Sequence, residues 1–577
     1  MERAYDVAII GGGPGGSTTA SLLRKYAPEL SVAIFEREKF PREHVGESQL
    51  PPIGAILDEM GCYEKVEAAN FPIKIGATYR WGQSEKFWDF EFVPLADYVS
   101  VARPRAFEGQ TRGLAFQVDR AIYDEILLDH AASLGTKVFE ETQVASIEST
   151  GDRVDSLTLK NGDRISAKYF IDASGNSAIL RRSMGVEINS PTKLQNIAFW
   201  DYWENAEWAT RFDGEATRVL VMSIGCGWLW YIPLGATRTS IGFICPAAYY
   251  REQGKTPREI YDWAIAQEPL IADLTAKASR EGEVRGTKDW SFVSERLCGE
   301  NWFLVGETAG FADPILAAGL TLTHTGAREL AYTIIAMERG EHKESWLKDW
   351  YEKNQKNRVE QHIRFADFWY AGNGIFTDLQ EYTREIAREA GLELDAAKAF
   401  QWLGTGGFTH DNLGQAGIGG LDLTGTFQVA QLFLNADHKW NLAKKNVLRV
   451  NTDASDTFTM PAYENGSIRA IQAFKRNNKV LPRVGIFELV YQTLRTKMDV
   501  RTFYAKLQVA AERQTSVAPD FFVNQALQVT EVMMQDGWIT GTYDPAREHL
   551  KISSPREGKL IHFNVETNER ISRLTKS

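Results

Sequence analysis

One stretch near the start, YDVAIIGGGPGGSTTASLL (residues 5–23), limits the fold more than any other. An apolar run at 7–10 predicts a strand, and it leads directly into Gly11, Gly13 and Gly16 in G-x-G-x-x-G spacing. Small residues and the pair Leu22-Leu23 follow, as a helix packed close to a strand requires. In such a unit the first glycine permits the tight turn and the second lets the backbone approach a pyrophosphate. The third lets the helix lie against the sheet. The helix start then offers free N–H groups and the positive end of its dipole to phosphates. A second strand, SVAIFERE, carries Glu36 twenty residues beyond Gly16. A carboxylate there accepts both hydroxyl protons of an adenosine ribose and repels a 2′-phosphate. Glycine spacing alone is a weak signal; with the strand, the helix and the acid in place it reads as a dinucleotide site.

Length and charge narrow the class. A chain of 577 residues has room for two to four domains. Its net charge of −11 argues against nucleic-acid binding, which draws on a basic face. No run approaches the ~20 apolar residues of a membrane span. The first strand begins almost at the N-terminus, which predicts no signal peptide and a cytoplasmic location. Cys62, Cys226, Cys245 and Cys298 lie far apart without metal-like spacing, so they read as reduced thiols and no metal site is expected.

The next segments choose the dinucleotide. FPREHVGESQLP sets Arg42 and then Gly46, Glu47 and Ser48 after the second strand, where a flavin needs a long loop along its body. YFIDASG (169–175) reads as a strand ending in small residues. ENWFLVGETAGFADPILAAG (300–319) reads as a strand, the pair Gly306-Glu307 and a helix start. That block resembles the ribityl-binding sequence of the FAD-dependent monooxygenase superfamily, where the acid after the glycine is mostly Asp. Three blocks in this order predict FAD.

These patterns predict an α/β protein. Residues 1–180 and 285–340 form a Rossmann-like FAD domain, interrupted at 181–284 by an inserted antiparallel sheet on the substrate side. From 341 to 577 helical spacing dominates. A Gly-rich stretch at 402–425 reads as a surface connection rather than a lid. The end, FFVNQALQVTEVMMQDGWITGTYDPAREHLKISS, predicts a helix and a hairpin in a winged-helix-like appendage.

Inside the inserted sheet stands GWLWYIPLG (227–235). Taken alone, tryptophans at period two are ordinary core on one strand face. The pattern W-x-W-x-I-P, here Trp228, Trp230, Ile232 and Pro233, resembles the signature of the flavin-dependent halogenases. GESQLP (46–51) is similar to their second loop, and NFPIKIGATYRWGQ (70–83) to the segment bearing their essential lysine, here Lys74. The helical last third looks most like the acyl-chlorinating branch, the chloramphenicol-pathway type.

The resemblance implies a reaction. A separate flavin reductase delivers reduced FAD, and dioxygen adds to it as a hydroperoxide. Chloride takes the distal oxygen to give hypochlorous acid, which travels inside the protein to Lys74. An organic substrate waits beyond, either a small molecule or an acyl group tethered to a carrier protein. A stiff wall at Trp228 and Trp230 keeps that substrate from the flavin. The resemblance also assigns backbone N–H groups at Ala318 and Gly319 to the halide, although relatives often carry Ser or Thr where Ala317 and Ala318 stand. It sets Asp289 against the flavin's methyl edge, where an acid can anchor it covalently. A lysine is ordinarily a solvated surface charge. Between Ile73 and Ile75 it acts either as a neutral amine that takes up chlorine or as a cation that holds hypochlorous acid. A hydroxylase or isoprenoid-type reductase on the same fold, and a non-catalytic flavoprotein, are the competing readings.

Overall fold

The computed structural model describes residues 2–373 apart from 83–84, 94 and 213–214, then 381, 385, 441–513 apart from 478, 519–549 and 561–575. The Gly-rich stretch at 402–425 lies outside the described residues.

The first strand, Glu2–Ile10, has its apolar half fully buried and becomes the centre of a seven-stranded sheet. Val32–Phe35 and Arg164–Asp172 flank it in parallel, and Trp302–Leu304 adds to the latter, also in parallel. Parallel neighbours need crossovers, and the helix Pro14–Tyr26 is the first of them. Proline at its first position loses no hydrogen bond, since that N–H would be unpaired in any case. A Cβ on Gly16 would stand 2.0 Å from the Gly11 carbonyl oxygen, so only glycine lets the helix seat this closely. The helix packs against Gly319–Glu338 and Arg120–Ser133. Asp119 caps the latter by accepting from the Ala121 N–H.

A ten-stranded sheet forms the second layer, and it differs from the expected insert in two ways. It draws on more of the chain than residues 181–284. Ile73–Arg80, Trp88–Glu91 and Ala115–Phe116 join from before that segment, Arg285–Trp290 from after it, and Ile561–Phe563 from near the C-terminus. Nor is it wholly antiparallel, because Ala216–Ile224 pairs with Ile73–Arg80 in parallel. Ile73–Arg80 arrives by a long crossover rather than a hairpin, and it is buried on both faces. Such strands lack the alternation that marks a half-exposed one. Next to this joint runs the strand Gly227–Pro233, buried at every residue, between Ala216–Ile224 and Arg238–Pro246.

Among the described residues beyond the 28-residue helix Glu344–Ala371, helices dominate but two small sheets accompany them. Helices Gly485–Leu494, Val500–Glu512 and Pro519–Gln535 share a core with Leu448 and Trp538. The last of these leads into Ile539–Thr542, which pairs with Val447–Val450, some ninety residues earlier, a partner no local pattern reveals. The second strand of the expected hairpin falls largely outside the described residues. The terminal helix Val565–Leu574 returns to the substrate-side layer, where Arg570 pairs with Asp273 and Glu207. None of the described helices is long and apolar enough to cross a membrane. All four cysteines are free thiols.

Candidate functional site

Between the two sheets lies a cavity of about 660 Å³. The glycine turn lines one end. Gly11 has φ +103°, and a Cβ there would stand 2.5 Å from the Ala173 carbonyl oxygen, so the turn depends on glycine. Glu36 is buried, one carboxylate oxygen accepting from the Gly12 N–H at 2.7 Å and the other from Glu38 N–H at 2.9 Å. Its carboxylate is thereby held in place at the cavity wall. Arg42 lies over the turn, its Nη2 within 3.2 Å of where a Gly13 Cβ would be. Its Nη1 is buried without a hydrogen-bond partner and stands 3.4 Å from Asp124. A guanidinium held beside a glycine turn and a helix start is the charged donor a pyrophosphate suits. The residues therefore fit an extended dinucleotide.

The segment 46–48 continues along the cavity, with Gly46 at φ +99°. Glu47 accepts from the Tyr202 hydroxyl at 2.9 Å, and burial pushes its carboxyl up to about 7. Ser48 bridges to Gln117, its hydroxyl unpartnered among the described residues. Across from them, Gly306 takes φ +69° and Glu307 faces the cavity. Burial raises the Glu307 carboxyl, while Arg120 and Arg42 oppose that rise. Reading the sequence missed Arg120. It pairs with Asp124 at 2.7 Å and donates to the carbonyls of Val45 at 3.0 Å and Gly46 at 3.1 Å, fixing the loop. Its only local signal was the Arg–Asp spacing of four on one helix, which is ordinarily a surface pair.

The other end of the cavity is apolar. Lys74, on Ile73–Arg80, is 2% exposed and lines the cavity. Its Nζ donates to the Gln49 carbonyl at 2.9 Å and stands 5.3 Å from the centre of the Phe92 ring. Burial alone lowers its pKa from the ordinary lysine value to about 7. Trp228 and Trp230 share the cavity-facing side of Gly227–Pro233, their rings 6.1 Å apart and tilted 55°. Gly242 pairs with Trp230, and a Cβ there would meet the indole at 2.1 Å. The ring thus lies flat across a residue that has no side chain. Each indole N–H has a partner: Trp230 donates to the Ser240 hydroxyl at 3.0 Å, Trp228 to the Tyr370 hydroxyl at 2.7 Å.

At the floor, Asp313 caps a short 3₁₀ turn by accepting from the Ile315 N–H at 2.9 Å. Ala317 takes φ +55°, and Ala318 then caps the helix Gly319–Glu338. Ala317 and Gly319 line the cavity, whereas the Ala318 side chain packs into a cluster with Val293 and Leu322. Asp289 stands on Arg285–Trp290 in register with Asn196. The glycine turn, the desolvated amine and the two indoles thus line one cavity.

A model of the FAD binding domain matches residues 4–366. The 1H-pyrrole-2-carbonyl-(peptidyl-carrier protein) chlorinase of Pseudomonas fluorescens is 33% identical over 388 residues, spanning 65% of this chain and 86% of that protein. Tryptophan 2-halogenase of Chondromyces crocatus is 32% identical over 352 residues, 59% of this chain and 63% of that protein. Among solved structures, CmlS, a flavin-dependent halogenase, superposes with a TM-score of 0.70 at 25% identity, covering 95% of this chain and 98% of that one. The chain is an FAD-binding enzyme, and it belongs to the flavin-dependent halogenase family.

Proposed function

We propose that this enzyme is a chlorinase that forms hypochlorous acid at the flavin end of its cavity and hands it over at Lys74 to an organic substrate. Gly11, Gly13, Gly16, Glu36, Arg42, residues 46–48, Gly306 and Glu307 would hold FAD. When bound in its reduced form, supplied by a separate reductase, FAD provides the electrons with which dioxygen oxidises a halide. Main-chain N–H groups at Ala318 and Gly319, opening a 20-residue helix, suit an anion without a lysine. Trp228 and Trp230 bar organic molecules from the flavin and leave a path for a small oxidant.

The observation that carries the reading is Lys74 itself, a buried amine with no charged group contributing to its pKa, on the same cavity as the glycine turn. Above pH of about 7 it is neutral and nucleophilic. Its lone pair takes chlorine from hypochlorous acid: an N–Cl bond forms, the O–Cl bond breaks, and the amine proton leaves with hydroxide as water. The chloramine then passes chlorine to a carbon nucleophile and the amine recovers a proton. For the substrate, the chlorinase named above for a pyrrole-2-carbonyl group on a carrier protein favours a carrier-tethered acyl or aroyl thioester. Either an electron-rich ring or an acidified α-carbon offers the nucleophile. The same reading gives Asp289 to the flavin's methyl edge. Flavin that stays with acid-precipitated protein establishes a covalent link there, and flavin in the supernatant excludes it.

A single turnover with reduced FAD, oxygen and chloride tests the proposal without any substrate. The peptide containing Lys74 should exchange one hydrogen for one chlorine, and Lys74→Met should lose that gain while monochlorodimedone in solution still traps oxidant. Pyrrole-2-carbonyl carrier-protein thioester then serves as the turnover probe. Chlorinated product forming at the normal rate with Lys74→Met, or an oxygenated product independent of halide, overturns the reading.

A further inference from the structure

Behind the Trp228 indole lies a hydrogen-bonded group that no part of the proposed reaction uses. The Tyr370 hydroxyl accepts from Trp228 Nε1 at 2.7 Å. It donates into the carboxylate of Asp313, whose two oxygens stand at 3.0 and 3.1 Å. Asn196 completes the group by donating to Asp313 Oδ2 at 3.0 Å. All four side chains are at most 3% exposed. Asp313 also caps the turn that leads to Ala317, Ala318 and Gly319. One carboxylate thus holds both the floor turn and, through one hydroxyl, the indole.

The residue in the middle comes from a distant element. Tyr370 is next to the end of Glu344–Ala371, and the end of this helix is itself tied down. The Thr192 hydroxyl donates to Asp367 at 2.5 Å, and Trp81 Nε1 donates to the Trp369 carbonyl at 2.9 Å. Trp81 further packs edge-on against both Trp228 and Tyr370. A tyrosine fixed at its backbone and at its hydroxyl has little freedom, so it transmits that rigidity to its partner.

We infer that Tyr370 and Asp313 are positioning residues that lock the Trp228 indole to the turn at 314–319, so that barrier and turn act as one rigid unit and oxidant is kept on the path to Lys74. The inference rests on the proposed role of Trp228 as a barrier. Neither residue touches a reacting atom. Their effect is on where the oxidant goes: with the lock broken the indole tilts, and hypochlorous acid escapes to solvent.

The test is a partition rather than a rate. Holoenzyme carrying Tyr370→Phe, Asp313→Asn, Trp228→Phe, or Tyr370→Phe with Trp228→Phe undergoes one turnover with reduced FAD, oxygen and chloride in the presence of monochlorodimedone. Oxidant trapped in solution is divided by chlorine retained on Lys74, per bound FAD. Tyr370→Phe keeps the ring and leaves a buried indole N–H unpaired, so the ratio should rise about fivefold. Asp313→Asn keeps an oxygen that can accept and should raise it less. The double variant should match Trp228→Phe alone, since the lock has nothing left to hold. An unchanged ratio in Trp228→Phe overturns the barrier reading, and the inference with it. A raised ratio in Trp228→Phe with a normal one in Tyr370→Phe overturns the lock while the barrier stands. So do multiplying effects in the double variant, or a Tyr370→Phe protein that loses FAD with its ratio unchanged.

Discussion

At the glycine-turn end of the cavity, backbone amides and charged groups face the space: Glu36, Arg42, Arg120 and Glu307 with the start of a helix. At the other end, indoles and aliphatic side chains enclose it, and an amine without a charged partner lines it. The first end is built to hold a charged molecule firmly. The second repels charge, and the same repulsion favours the neutral form of the Lys74 amine. Low dielectric penalises the ammonium form with no need for a neighbouring cation. An oxidant without charge crosses from one environment to the other at little cost, whereas hypochlorite and chloride do not. Production and use of the oxidant are in this reading kept apart by polarity as well as by the tryptophans.

The largest way to break this contrast is to remove the amine and keep its volume. Lys74→Met should cut chlorinated product by a factor of about a hundred or more, with oxygen consumption continuing, as loss of a nucleophile from an intact site does. A comparable loss at the other end, by a different route, is expected from Gly16→Val. Its side chain would collide with the Gly11 carbonyl oxygen, so FAD should no longer be retained on gel filtration. If Gly16→Val retained stoichiometric flavin, the turn would not be the cradle described.

A smaller effect sharpens the contrast by titration. Below pH of about 7 the Lys74 amine takes up a proton and loses its lone pair. Lys74 chlorination should then fall about tenfold per pH unit, while oxidant trapped in solution persists. A profile flat from pH 5.5 to 8.5 would show instead that the amine does not titrate in this range, and the account of a neutral nucleophile would fail.

The two ends were also unequally legible. The glycine turn and Glu36 follow one another along the chain, so spacing marked them, whereas the pair Gly306-Glu307 was marked by its resemblance to a ribityl-binding sequence. Lys74 and the two tryptophans could be singled out only by resemblance, since a lysine between isoleucines and two rings at period two are ordinary features of a strand. The polar groups that fix this end, Gln49, Ser240, Asp313 and Tyr370, come from four separate segments of the chain, and no local pattern joins them. The substrate-side sheet was legible over 181–284, but its parallel joint was hidden for the same reason. It pairs Thr217 with Lys74, more than a hundred residues apart, and strands buried on both faces carry no alternation to mark them.

The smallest predicted effect is on stability, and its sign is fixed by the same amine. In the unfolded chain Lys74 has the ordinary lysine value, near 10.5, while in the fold it has about 7. Below pH 7 both states carry the proton, and the fold bears the full cost of a buried ammonium. Between 7 and 10.5 the unfolded chain binds a proton that the folded one has released, so stability attributable to this residue rises with pH. Each pH unit in that window is worth about 1.4 kcal/mol. Lys74→Met carries no such burden at any pH. Its melting temperature should therefore exceed that of the native chain by a few degrees at pH 6.5, and the gap should narrow at pH 9. A gap that stays constant over this range would mean that the amine is hydrated in both states, and the dry end of the cavity would not be dry.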